Sequence, residues 1–142
     1  MENMVQKVSF LAVAAIAIGI TIAGCDARQK NADFEPIRQL VCQSKFADAI
    51  PKLEAYRGKH EFRAGLFLGK AYLGLGQIDK ARAAFEKTVR RFPDTLEAHK
   101  CQYKLAMLTF LDGDQQAARV QFSKISNGPL TGEAAAFVRF LK

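Results

Sequence analysis

Apolar and polar positions follow two regimes along the chain. From Val8 to Gly24 the residues are almost all Phe, Leu, Ala, Val, Ile and Gly, interrupted only by Ser9 and Thr21. Beyond Asp33, apolar residues instead recur at i, i+3, i+4 spacing in stretches separated by Gly- or Pro-containing links, the pattern of amphipathic helices. These stretches repeat. Leu68, Gly76, Ala81, Phe85 and Lys87 return 37 residues later as Leu105, Gly113, Ala118, Phe122 and Lys124. A fainter copy precedes them by 32 residues, with Phe46, Ala49 and Leu53 standing for Ile78, Ala81 and Phe85. Each unit therefore reads as two helices joined by a tight turn, and stacking such units is how they bury a common core.

The first unit carries the weakest signal. Asp33 is placed to cap a helix running to about Cys42, with Pro36 tolerated in its first turn. Pro51 falls about five residues into the second helix, where it removes one hydrogen bond and bends the helix. At the other end, Asn127-Gly128-Pro129 is a stop, and Thr131 with Glu133 starts a last helix that runs through Lys142. A terminal helix covering the exposed apolar side of the last unit is what a stacked array requires.

The Val8–Gly24 run is short for a bilayer core of ~30 Å, which needs about 20 helical residues, and it follows a brief segment ending in Lys7. Its end, Ile22-Ala23-Gly24-Cys25, resembles the bacterial lipoprotein box. That resemblance implies a signal peptide over 1–24, cleavage before Cys25, and acylation of Cys25 as the mature amino terminus. Palmitate and diacylglycerol chains on that residue would hold the protein in a membrane, since two or more chains bind stably. Asp26 resembles the sorting signal for retention in the inner membrane. Residues 25–31 then form the lipidated terminus and a tether of at most about 20 Å. The fold would sit in the periplasm, close to lipid headgroups.

The repeats resemble a second family. Leu68-Gly69, Ala71-Tyr72, Gly76, Ala81, Phe85 and Pro93 match the Leu-Gly, Tyr, Gly, Ala, aromatic and Pro positions of the tetratricopeptide repeat (TPR), with Gly65 where that family usually has Trp. The next unit keeps Leu105, Ala106, Gly113, Ala118 and Phe122 but has Thr109 at an aromatic position, and its closing proline is Pro129. The resemblance implies an all-α fold: a right-handed α-solenoid of about three TPR-like helix pairs plus a C-terminal capping helix. Its domain would cover 32–142, with units at about 32–61, 62–98 and 99–131 and a cap at 132–142. In the family, the first helix of each unit lines a concave groove. Carried over, the groove positions are Phe34, Arg38 and Val41; Arg63, Leu66, Lys70 and Leu73; and Lys100, Tyr103, Lys104, Met107 and Phe110. Such a basic and aromatic face suits an extended or helical peptide with acidic residues or a free carboxylate; the alternative is that Tyr103, Met107 and Phe110 pack between repeats and the lysines form a solvated face. Lys100 and Lys104 resemble two positions of the carboxylate clamp, whose other positions are absent here.

Composition sharpens this picture in two places. The chain has 142 residues, 49% apolar, with 21 Lys and Arg against 14 Asp and Glu, a formal +7. Cleavage before Cys25 removes one base, Lys7, and one acid, Glu2, so the mature chain keeps the excess. The second-helix bases Lys80, Arg82, Lys87, Arg90 and Arg91 read as a solvated face, or as contacts to anionic lipid at about 1 kcal/mol each. A pI near 9.5 would also suit nucleic acid, but an envelope compartment does not.

Catalytic chemistry finds no support. The two histidines, His60 and His99, lack convergent partners, and no Cys-x-x-Cys or His-x-x-x-His occurs. No cofactor, metal or small-molecule substrate is expected. Cys42 and Cys101 belong to first helices two units apart, further than the ~7 Å a disulfide spans, and are expected as free, buried thiols. The sequence thus implies a non-enzymatic, membrane-anchored lipoprotein that binds another protein. A scaffold or assembly factor of a cell-envelope, secretion or pilus system fits this first, and an accessory subunit positioning a cell-wall or respiratory enzyme second.

Overall fold

The computed structural model describes residues 33–125 and 130–141. The apolar run, Cys25, Asp26, the 25–31 tether and the Asn127-Gly128-Pro129 stop lie outside the described residues. Seven helices and no strand occur among the described residues: α1 Glu35–Cys42, α2 Phe46–Ala55, α3 Glu61–Gly74, α4 Ile78–Arg91, α5 Leu96–Leu111, α6 Gln115–Ser123 and α7 Thr131–Phe140. No helix among them is long and apolar enough to cross a membrane.

Consecutive helices pack on one another, and the first helices of successive pairs also touch, α1 with α3 and α3 with α5. The result is an all-α, TPR-like solenoid. Its three turns show the repeat directly. Ser44, Gly76 and Gly113 all have positive φ, at 59°, 70° and 92°, and each donates its N–H to the carbonyl three residues back at 3.0 Å. Their spacings are the 32 and 37 residues read from the sequence. Lys45 N–H to Leu40 O at 2.8 Å and Gln77 N–H to Tyr72 O at 2.9 Å complete the same six-residue closure after α1 and α3.

Ser44 is the exception, because an L side chain in the left-handed region is strained where glycine is not. Ser44→Gly is therefore expected to raise stability by about 0.5–1 kcal/mol. Gly76→Ala should lower it by about 1 kcal/mol through the backbone alone, since a Cβ there meets nothing within 4 Å. Urea midpoints moving in these opposite directions at constant slope would verify both.

Three buried clusters form the seams. Phe34, Val41, Ala49, Leu53, Ala64 and Ala71 join the first and second pairs. Leu66, Tyr72, Leu73, Phe85, Cys101 and Leu108 join the second and third. Ala106, Met107, Phe110, Phe122 and Ala134 join the third pair to α7. Within the second pair, α3 and α4 approach closely enough to exclude a side chain at Gly69, whose Cβ would overlap the Phe85 ring. Phe137 of α7 completes the last seam, stacked on Phe122 with centroids 4.9 Å apart and planes at 22°.

Two local expectations are corrected. Asp33 does not cap α1; the cap position is Phe34, and the Asp33 carboxylate accepts from the Tyr56 hydroxyl at 2.6 Å. A partner 23 residues away thus takes the oxygen that a local cap would have used. Cys42 is not a free, buried thiol but half-buried and disulfide-bonded, because it sits at the open end of α1 and not in the core. Cys101 is the free, buried thiol expected, so no bridge joins it to Cys42. Helix α2 runs through Pro51, which has no N–H to give to the Ala47 carbonyl.

Candidate protein-binding face

Helices α1, α3 and α5 supply every residue expected on the groove except Phe34, which is the cap residue of α1. The apolar members are largely absorbed by packing. Phe34 is 1% exposed and meets the Tyr56 and Phe67 rings edge-on at 5.3 and 5.6 Å. Leu66 and Leu73 lie in the central seam, Met107 and Phe110 in the last one, and Val41 in the first. Tyr103 keeps part of its surface while its ring meets Phe122 at 5.3 Å and Phe137 at 6.4 Å. The expectation that Phe34, Leu66, Leu73, Met107 and Phe110 present an apolar groove is therefore corrected: these side chains hold helix to helix. Helical spacing cannot separate the two roles, because a seam and a groove recur with the same period.

The basic members divide into two sets. Arg38 is tied to Glu35 on its own helix, with Nε at 2.8 Å, and Arg63 lies 3.4 Å from Glu97 of the next pair. Both guanidinium groups are thus matched to carboxylates. Lys70, Lys100 and Lys104 converge from α3 and α5, all half-buried, with the Glu133 carboxylate acting on Lys104. Burial, and then the charges of Lys104 and Lys100, push the Lys70 ammonium down to about 8. Its Nζ lies 5.0 Å over the Phe67 ring, a cation–π contact that compensates part of the lost hydration. Burial also lowers the Lys104 ammonium, opposed by the charge of Glu133 on α7.

A cluster of this kind is costly to fold and suited to an anion. Lys70 is partly stripped of water and repelled by Lys104 and Lys100, so a carboxylate brought beside it relieves both penalties. Glu97 and Glu133, which shape the electrostatics, were not readable as such, because both come from the next helix pair or the cap. Glu35, three residues before Arg38, was readable from its helical spacing.

Other chemically interesting side chains are tied up. Burial pushes the Cys101 thiol up to about 12, so it stays protonated. The hydrogen bond to Glu54, with burial, pushes the Tyr72 phenol up to about 12. No group of three or more His, Cys, Asp or Glu that could hold a metal ion occurs among the described residues. Arg82 and Asp112 form a 2.6 Å ion pair between α4 and the end of α5, while Arg91 pairs with Glu61. Part of the second-helix charge is thus structural.

Comparison with known families agrees with the geometry. The family described as Tetratricopeptide repeat matches residues 62–105, the span of α3, α4 and the first ten residues of α5. This chain is thus similar to proteins of a repeat that binds protein partners and is typically non-enzymatic. No curated protein and no solved structure matches.

Proposed function

We propose that this protein is a membrane-anchored bacterial lipoprotein whose TPR-like domain binds an acidic segment of a partner protein on the face formed by α3 and α5. The observation that carries the binding reading is the half-buried Lys70 ammonium, repelled by the nearby Lys104 and Lys100, whose penalty a partner carboxylate would relieve. Tyr103 beside them offers an apolar flank for the neighbouring peptide side chain. The Ile22-Ala23-Gly24-Cys25 box supports the anchor, and Asp26 supports residence at the inner membrane. A short tether would then hold the face within about 20 Å of the headgroups. The role in the cell is to hold together parts of an envelope, secretion or pilus assembly.

Lys100→Glu with Lys104→Glu tests the binding reading: partner recovery after crosslinking in intact cells should fall at least about tenfold, as the loss of one charged hydrogen bond gives. Equal recovery by the variant would refute it. If the recovered partner is a cell-wall or respiratory enzyme, the scaffold is an accessory subunit of that enzyme instead.

The anchor has its own test. Cys25→Ser should leave an unprocessed precursor that takes up no labelled palmitate. A mature protein whose mass shows no acyl chain would refute lipidation at Cys25.

A further inference from the structure

A cavity of about 300 Å³ lies where the ends of α2 and α4 meet the start of α3. It shares no lining residue with the lysine cluster. Its size is at the lower bound of ligand pockets, about 300–1,000 Å³. The opening has a local cause. Gly65 contributes no side chain, and Ala64 and Ala84 beside it are small. A Cβ on Gly65 would overlap the Thr88 hydroxyl, which donates to the Ala84 carbonyl at 2.9 Å and is held there. Thr88 thus blocks the direction a larger residue at 65 would take and fills little of the space beyond.

The walls and mouth differ in chemistry. Leu53, Leu68 and Ala84 make the interior apolar. At the mouth, Glu61 is paired with Arg91, while Glu54 accepts from the Tyr72 hydroxyl and keeps its negative charge. Arg57 spends one nitrogen on the carbonyls of Glu54 and Tyr56, at 2.7 and 2.9 Å, leaving the rest of its guanidinium exposed. Lys87 is exposed, with no carboxylate within ion-pair distance among the described residues. An apolar pocket whose three cationic lining residues, Arg57, Lys87 and Arg91, outnumber its carboxylates, Glu54 and Glu61, is complementary to a molecule with an apolar, ring-sized body and a carboxylate one or two carbons away.

We propose that this cavity binds a small aryl carboxylate, its ring on Leu53, Leu68 and Ala84 and its carboxylate at Lys87 and Arg57. Such a ligand would fill the space between two helix pairs and stiffen their junction. This inference does not depend on the acidic-peptide reading, since the two sites share no residue.

The test uses the full chain in detergent micelles, with indole-3-propionate as probe and its neutral primary amide as control. Titration calorimetry should give saturable binding with a dissociation constant below about 1 mM. The amide, and separately Lys87→Glu, should each bind at least about tenfold more weakly, the loss of one charge contact. Gly65→Trp with Thr88→Ala, which fills the cavity from within, should abolish binding. Binding that never saturates, an amide or Lys87→Glu that binds as well as the parent pair, or undiminished binding by the filled variant would overturn the proposal. If the filled variant does not fold, the amide and Lys87→Glu decide alone.

Discussion

Replacing Lys70 by methionine is expected to make the domain more stable and less able to bind its partner. The ammonium is half-buried beside Lys100 and Lys104, and its titration in the folded state is pushed down to about 8 from the ordinary 10.5. Methionine keeps the length of the apolar stem while removing the charge and, with it, the cation–π contact to Phe67. The gain should be of order 1–3 kcal/mol at pH 7, given about 1.4 kcal/mol per unit. The sign follows from proton counting. Below about 8 the lysine is charged in both states, and the folded state carries the full burial cost. Between about 8 and 10.5 the unfolded chain binds more protons than the folded one, so stability rises with pH. The advantage of Lys70→Met over wild type should therefore shrink as pH is raised from 7 to 10. Urea denaturation at a series of pH values checks this, and a constant difference across the range would show that the gain came from elsewhere. Partner recovery should fall in the same variant. A residue that costs stability and supports binding is what a functional site on a repeat surface looks like.

Phe85→Ala should be strongly destabilising, by about 3–5 kcal/mol. The ring is fully buried at the seam between the second and third pairs, against Gly69, which has no side chain to move into the space. Typical domain stability is about 5–15 kcal/mol, so the loss is a large part of the total. In a stacked array each pair is stable mainly through its neighbours, and a weakened central seam should uncouple the two ends. Chemical denaturation should show an earlier midpoint with lost cooperativity. Val120→Ala is the control: this side chain is 43% exposed, and its loss should change stability by less than about 0.5 kcal/mol.

Much of the fold was legible because the repeat uses strong local signals. Gly76 and Gly113 mark turns that need positive φ, and the 32- and 37-residue offsets between units reappear in the spacing of Ser44, Gly76 and Gly113. Where the reading failed, a tertiary partner had replaced a local one. Asp33 has the chemistry of a cap but gives its oxygen to Tyr56, and Cys42 has the spacing of a buried position but stands at a helix end. The site was half legible. The resemblance to the repeat family placed Lys70, Lys100 and Lys104 on one groove, and helical period put Lys100 and Lys104 one turn apart. Their exposure could not be read, because it depends on how far α7 covers α5 and where Glu133 falls. The apolar candidates Phe34, Leu66, Leu73, Met107 and Phe110 were assigned to the right helices or helix ends and the wrong role, since a seam and a groove share one period. The absence of a large residue at Gly65 was visible, but the cavity depends on Thr88 and Ala84 across the pair.

The most direct test of the binding face is a photo-crosslinking amino acid placed in turn at Lys70, Tyr103 and, as a control on the second-helix face, Arg90, in intact cells. Crosslinked peptides would be identified by mass spectrometry. Tyr103 should give one dominant partner peptide rich in Asp and Glu, or ending in a free carboxylate, and Lys100→Glu with Lys104→Glu should abolish it. Lys70 should give the same peptide in lower yield, because the probe removes one of the three charges, and Arg90 should give none. Crosslinks to that peptide from Arg90 but not from Lys70 or Tyr103 would contradict the account.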